Sequence, residues 1–248
     1  MPRGYRVGEN LELLPGGAAL LTDENVLIVA DLHLGCEAAL EYEGVSLPRV
    51  QTKIIETYLK GVVEEVSPSR LVVAGDLKHN FSRNLIQEWQ DVSRFVSMLR
   101  GTVALEVVKG NHDNYLVNIL RDNGLSLKKE VRVGHARIVH GHSGARALGS
   151  TIMGHIHPSL GLRDKVGSWI KAPCYLVHER LGIIVLPALS IVSAGVDVVG
   201  QPSSDKMSPL LPENGLRDFV PVAFSNGRPL KFPSVGEMRD SRTGSRSQ

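Results

Sequence analysis

The chain has almost no cysteine: two residues in 248, Cys36 and Cys174. Two thiols build neither a disulfide framework nor a thiolate zinc site. Long hydrophobic runs are missing too. The longest apolar stretches fall far short of the roughly 18 residues that cross a bilayer. The opening MPRGYRVGEN lacks the apolar centre of a secretion signal. Net charge is nearly absent: 28 Lys+Arg against 26 Asp+Glu leave +2. Charge alone therefore neither demands nor excludes a nucleic-acid partner. No G-x-x-x-x-G-K-[ST] loop and no G-x-G-x-x-G turn occurs. Gly141-His-Ser-Gly-Ala145 lacks the second glycine of a G-x-S-x-G nucleophile elbow. These absences turn the reading away from secreted scaffolds, membrane spans, nucleotide-loop folds and serine hydrolases, towards a soluble cytoplasmic protein.

Apolar material is plentiful. Hydrophobic residues make up 42% and charged ones 22%, enough for a real core and too ordered a composition for disorder. One pattern recurs: a short apolar run, then a polar turn. Val26–Ala30 leads to Asp31-Leu-His33, Leu71–Ala74 to Gly75-Asp76, and residues 104–108 to Gly110-Asn-His-Asp113. Arg137–Val139 leads to His140-Gly-His142, and Thr151–Met153 to Gly154-His-Ile-His157. Such runs read as buried strands.

Helices fit between them. Val50, Ile54, Tyr58, Val62 and Val66 are spaced for one helix face, with Pro48 near the first turn. Leu85, Trp89, Val92, Val96 and Leu99 repeat that spacing, with Ser82 or Asn84 as N-cap and Trp89 in the core. A shorter helix is expected over residues 114–122. Alternating strands and helices predict a layered α/β sheet. Farther on, Ala172–Val177 and Gly182–Leu186 read as neighbouring strands, and Ser225-Asn-Gly-Arg228 as a hairpin turn. The Ser- and Pro-rich stretch 201–213 reads as a surface excursion. One domain is expected over residues 1–239, with a disordered tail over 240–248.

Ligands of open α/β sheets bind beyond the carboxyl ends of strands. Seven of nine histidines lie there: His33, His79, His112, His140, His142, His155 and His157. His135 and His178 fall outside and read as surface residues. Imidazole with carboxylate is a ligand set for Mn²⁺, Fe or Zn²⁺. On an extended strand end, Asp31 and His33 share a side, as do His155 and His157, so each pair would grip one ion. Cys36 reads as a small buried thiol. Lys78, Arg49 and Arg146 read as solvated charges.

Taken in order, the five blocks resemble the calcineurin-like metallophosphoesterase superfamily. The detail of ADLHLG at 30–35, GDLKH at 75–79, GNHD at 110–113, GHIHP at 154–158, VLPALS at 185–190 and MSPLL at 207–211 is similar to archaeal SbcD-related and DNA-ligase-associated phosphoesterases. The resemblance spans roughly residues 10–239. It implies a four-layer α/β/β/α sandwich with two mixed β-sheets. It implies two divalent cations, Mn²⁺ first, with Fe, Zn²⁺ or Ni²⁺ as alternatives. Asp31, His33 and His157 would hold one, Asn111, His140 and His155 the other, and Asp76 would bridge both. His112 would face the substrate as the catalytic group. His79 would contact phosphate or orient Asp76, and His142 would support a ligand or belong to the loop.

The implied activity is phosphodiester hydrolysis by a metal-bridging hydroxide, in a DNA-processing nuclease. Its neighbours in DNA processing would be helicases or ligases, with no membrane partner. A small-nucleotide phosphodiesterase or phosphatase is the alternative, and a non-catalytic scaffold on the same fold the third reading.

Overall fold

The computed structural model describes residues 4–82, 85–144, 149–163, 166, 168–193 and 195–244. The chain begins with an antiparallel meander, β1 (Tyr5–Val7), β2 (Leu11–Leu13), β3 (Ala19–Leu21) and β4 (Val26–Val29). Helices α1 (Cys36–Tyr42) and α2 (Gln51–Val66) cross to β5 (Arg70–Val73). Helix α3 (Ile86–Leu99) leads to β6 (Ala104–Val108), and α4 (Leu116–Asp122) to β7 (Leu127–Lys128). The seven strands form one sheet in sequence order, parallel from β4 to β7.

The second sheet starts with β8 (Val131–Val133), β9 (Ala136–Val139) and β10 (Thr151–Met153). It continues with β11 (Pro158–Arg163), β12 (Trp169–His178), β13 (Ile183–Val185) and β14 (Val196–Asp197). Its order is β14-β11-β12-β13-β10-β9-β8, and the hairpin β15 (Val220–Ser225) and β16 (Arg228–Lys231) joins β12. Both sheets are mixed, as expected. The β12–β13 pair and the Ser225–Arg228 hairpin also stand where the sequence put them.

Strand β4 shows why the runs are apolar throughout. Val26 and Ile28 face the second sheet, where they meet Ile138, Ile152, Val177 and Ile184. Leu27 and Val29 face the helices, with Leu59, Phe95 and Ile119. Both faces are covered, so alternation disappears. A third cluster, with Val139, Met153, Leu176 and Val185, closes the outer face of the second sheet. Its cover is chain 198–219 plus α5 (Val235–Gly244). The layers are therefore helix, sheet, sheet, and a mixed loop-and-helix layer.

Several expectations need correction. In α2 the core face is Ile55, Leu59 and Val63, while Val50 and Ile54 are exposed. Both rows are apolar, and the sheet selects the adjacent one. In α3, Val92, Phe95, Val96 and Leu99 turn inward and Trp89 turns out. The 201–213 stretch is no mere excursion, since Ser204, Ser208, Leu210 and Leu211 are buried. His178 is buried too, its ring edge-on to Phe219 at 5.0 Å. The α3 N-cap is Leu85, with Ser82 upstream and Asn84 outside the described residues. Helix α5 takes in residues 240–244, and 245–248 lie outside the described residues. No described helix is long and apolar enough to cross a membrane.

Candidate metal centre

The loops after β4 and β5 lie side by side. Asp31 N donates to Gly75 O at 3.1 Å, and His33 N to Asp76 O at 2.9 Å. Asp31, His33, Asp76, His155 and His157 all have positive φ, between 48° and 71°. That region costs about 1 kcal/mol or more for a residue with a Cβ, and such residues cluster where function holds them. The strand ends are therefore curled rather than extended. This corrects the expected geometry of Asp-x-His and His-x-His. His155 and His157 diverge into two different groups.

The first group is Asp31, His33, Asp76 and His157, whose donor atoms all lie within 4.8 Å of one another. His157 Nε2 is 3.4 Å from both Asp31 Oδ1 and His33 Nε2. The second group centres on His140 Nε2. It lies 2.9 Å from Asn111 Oδ1, 3.2 Å from His155 Nδ1 and 3.4 Å from Asp76 Oδ2. Asp76 Oδ2 also sits 3.9 Å from His33 Nε2, so one carboxylate oxygen lies between the groups. All seven candidate ligands are thus brought together.

Three of the four candidate ligand imidazoles have their direction fixed by a hydrogen bond. His140 Nδ1 donates to Ala74 O at 3.1 Å, and His155 Nε2 to Met207 O at 3.1 Å. His157 Nδ1 pairs with Ser193 Oγ at 2.8 Å. In each case the other ring nitrogen points into the cluster, as a ligand must. Gln51, wholly buried, donates from Nε2 to His33 O at 2.8 Å and accepts from Ser190 Oγ at 2.8 Å, tying the His33 loop to the Ser193 loop. Asp113 is buried and accepts from Gly110 N at 2.8 Å, stapling the GNHD turn. Burial and Asp76 push its carboxyl up to about 7.

His112 Nε2 lies 3.9 Å from Asp76 Oδ2, and His112 Nδ1 bonds to the His79 carbonyl. The His79 ring stands 5.3 Å from His33 and 5.7 Å from His112. His33, His79 and His112 form a further close triad. The His142 ring lies 5.2 Å from His140, beside the second group. Lys78 is not a solvated charge: it is fully buried, 4.0 Å from Glu88. Arg49 is exposed and pairs with Glu41, and Arg146 lies outside the described residues. Cys36 is a buried thiol, pushed up to about 12 by burial and Glu37.

The electrostatics favour cations. Burial alone would pull His140 down, but Asp76 and Asp31 outweigh it and hold it up at about 9. Burial would push Asp31 up, and His157 with His140 keeps it low instead. At His33 burial outweighs the pull of the same two carboxylates, Asp31 and Asp76, and takes the imidazole down to about 3. Asp31 Oδ1 and His33 Nδ1 are buried without a well-formed hydrogen bond. Donors about 2.1 Å from one ion sit roughly 3–3.5 Å apart, which matches the 2.9–3.4 Å separations here. The residues fit divalent cations.

Sequence reasoning missed Gln51, Ser193, Met207 and Glu88. Only the MSPLL motif hinted at one of them, since Met207 O orients His155 and Ser208 Oγ donates to Gly141 O at 2.6 Å.

Comparison with known proteins agrees with the fold. A family model described as calcineurin-like phosphoesterase matches residues 24–144. The crystal structure of Pseudomonas putida nuclease MPE superposes with a TM-score of 0.67 at 18% identity, covering 94% of this chain and 99% of that one. Yfce, a phosphoesterase from E. coli, gives a TM-score of 0.38 at 15% identity over 81% of this chain and 88% of that one. No curated protein sequence matches significantly.

Proposed function

We propose that this chain, a metal-dependent phosphoesterase of the calcineurin-like superfamily, cleaves phosphodiester bonds of nucleic acid with two divalent cations. The observation that carries this reading is Asp76 Oδ2, 3.4 Å from His140 Nε2 on one side and 3.9 Å from His33 Nε2 on the other. Asp31, His33 and His157 would hold one ion, Asn111, His140 and His155 the other, with Asp76 shared. When bound, such ions would supply Lewis acidity to a water and positive charge to the phosphate undergoing in-line displacement. Ligands of mixed imidazole, amide and carboxylate character suit Mn²⁺, Fe or Zn²⁺, and Mn²⁺ is our choice among them.

The chain's own part lies in positioning and proton transfer. Two carboxylates against neutral Asn and His ligands leave the loaded site cationic, suited to a phosphate anion. An alkoxide is a poor leaving group and needs a proton as the bond breaks. His112 offers one from Nε2, because Nδ1 is taken by the His79 carbonyl. The His79 ring lies beside it, where the phosphate oxygens would approach.

DNA as the substrate rests on the motif resemblance to SbcD-related and DNA-ligase-associated phosphoesterases, with the nuclease described for the P. putida protein as support. A cytoplasmic role in DNA repair beside a helicase or ligase belongs to the same reading. Purified protein with Mn²⁺, Mg²⁺ or Zn²⁺ should be given bis(4-nitrophenyl) phosphate, a DNA oligomer, a cyclic mononucleotide and a monoester. Cleavage of the aryl diester and DNA, lost in Asp76→Asn, is expected. Turnover of the small nucleotides with inert DNA would favour a small-nucleotide enzyme. Unchanged activity in Asp76→Asn would refute the site.

A further inference from the structure

Glu88 lies outside the metal cluster, on the first turn of α3, yet it is one of the most thoroughly buried carboxylates in the chain. Its partner Lys78 is equally buried, 4.0 Å away. A buried ion pair is a poor stability device, because desolvating two charges costs about as much as their attraction returns. Its value lies in what it fixes.

Glu88 Oε1 accepts the N–H of Asn80, and Glu88 Oε2 accepts the N–H of Leu85 at 2.8 Å. Lys78 Nζ donates to the Asn80 carbonyl. The Asn80 N–H belongs to the same peptide unit as the His79 carbonyl. That carbonyl is the partner of His112 Nδ1. A trans peptide is planar, so gripping its N–H sets the direction of its C=O. The path from Glu88 to His112 is therefore two hydrogen bonds joined by one rigid amide. The other end of the path is also fixed. Helix α3 packs so closely on the 31–35 loop that a Cβ at Gly35 would lie 2.8 Å from Glu88 Cα.

We infer that Glu88, held by Lys78, is a positioning residue that aims the His112 imidazole through the His79–Asn80 peptide. This rests on His112 acting as the general acid, as proposed above. A loosened His112 would fail where the leaving group needs a proton and matter little where it does not. Leaving-group selectivity is therefore the readout, which a general loss of fold or metal would not produce.

Glu88→Leu alone would take the Glu88 carboxylate from a buried ammonium and could unfold the chain, so the paired variant Lys78→Met/Glu88→Leu removes both charges together. A second pair, Lys78→Met/Glu88→Gln, keeps an acceptor oxygen for the Asn80 N–H. Each is loaded with Mn²⁺ and compared on bis(4-nitrophenyl) phosphate and on the dinucleotide thymidylyl-thymidine, whose leaving group is an alkoxide. In the Leu pair, kcat on the dinucleotide should fall by about tenfold or more, with aryl-diester turnover within about threefold. The Gln pair should recover most of the loss. Adding His112→Ala to the Leu pair should cost nothing beyond His112→Ala alone, because groups acting in series are not additive. Equal losses on both substrates, no loss, or additive losses would overturn the inference. His112→Ala by itself separates the two levels. If it shows no leaving-group selectivity, the general-acid role fails and takes this inference with it. If it does and the Leu pair does not, only the inference fails.

Discussion

Gly110→Ala adds one methyl group at the most crowded point of the centre. The backbone at Gly110 is outside the left-handed region, so alanine meets no torsional penalty there. The new Cβ would lie 2.0 Å from Asp76 Oδ1 and 2.3 Å from the Asp76 backbone N. Non-bonded atoms settle at roughly 3.5 Å, so both must retreat by over about 1 Å. Asp76 Oδ1 also accepts the His112 N–H at 2.9 Å, so moving it loosens the His112 loop as well. Overpacking of this kind costs about 1–3 kcal/mol, which lowers Tm by roughly 2–12 °C at this chain length. A 1 Å displacement at a reacting centre costs about 10²-fold in rate. Thermal unfolding and kcat on an aryl phosphodiester measure both. Gly61→Ala is the control. It lies within α2, with open space around the added Cβ, and should stabilise by about 0.5–1 kcal/mol with turnover unchanged. A Gly110→Ala protein with wild-type Tm and rate would refute the crowding at Asp76.

Two further outcomes follow from the same geometry. Gln51→Leu keeps the volume but cuts the bonds from Gln51 to His33 O and from Ser190 to Gln51; with buried partners left unmatched, it should cost about 1–3 kcal/mol and weaken Mn²⁺ binding measured by calorimetry, and unchanged affinity would show that the two loops hold themselves. Glu106 is drawn upward by burial but lowered further by Lys128 and Arg70, to below its ordinary 4.5. A depressed carboxylate lends stability above the unfolded value that is lost as pH falls through the folded one. The stability gap between wild type and Glu106→Gln should therefore be open at pH 7, at about 1 kcal/mol or less, and close progressively below about pH 4.5, as denaturant unfolding across pH would measure. A gap that persists in acid would mean that the ion pairs do not hold Glu106.

The strand-and-turn blocks could be read from sequence because both properties are local. An apolar run ending in Asp or His names its own strand and its own ligand. The resemblance carried by those blocks gathers Asp31, His33, Asp76, Asn111, His140, His155 and His157 into one candidate set. What escaped depends on contacts between distant segments. Gln51 reaches a loop 139 residues away, at Ser190. Met207 meets a ring 52 residues before it. Glu88 acts through a peptide on another loop, and nothing about a glutamate on a helix announces that. The α2 face was misjudged for a different reason: Val50 and Ile54 compete with Ile55 and Leu59, and only the neighbouring sheet decides between two apolar rows. The curled Asp31–His33 and His155–His157 segments were invisible because positive φ at these residue types is imposed by the surrounding loops.

Counting the ions tests the two-cation reading most directly. Protein equilibrated with Mn²⁺ and freed of excess should carry two ions per chain by elemental analysis, with electron paramagnetic resonance showing a coupled pair. Asp76→Asn should hold one ion or fewer and lose the coupling. A single uncoupled Mn²⁺ in the wild type, or a full pair retained in Asp76→Asn, would contradict it.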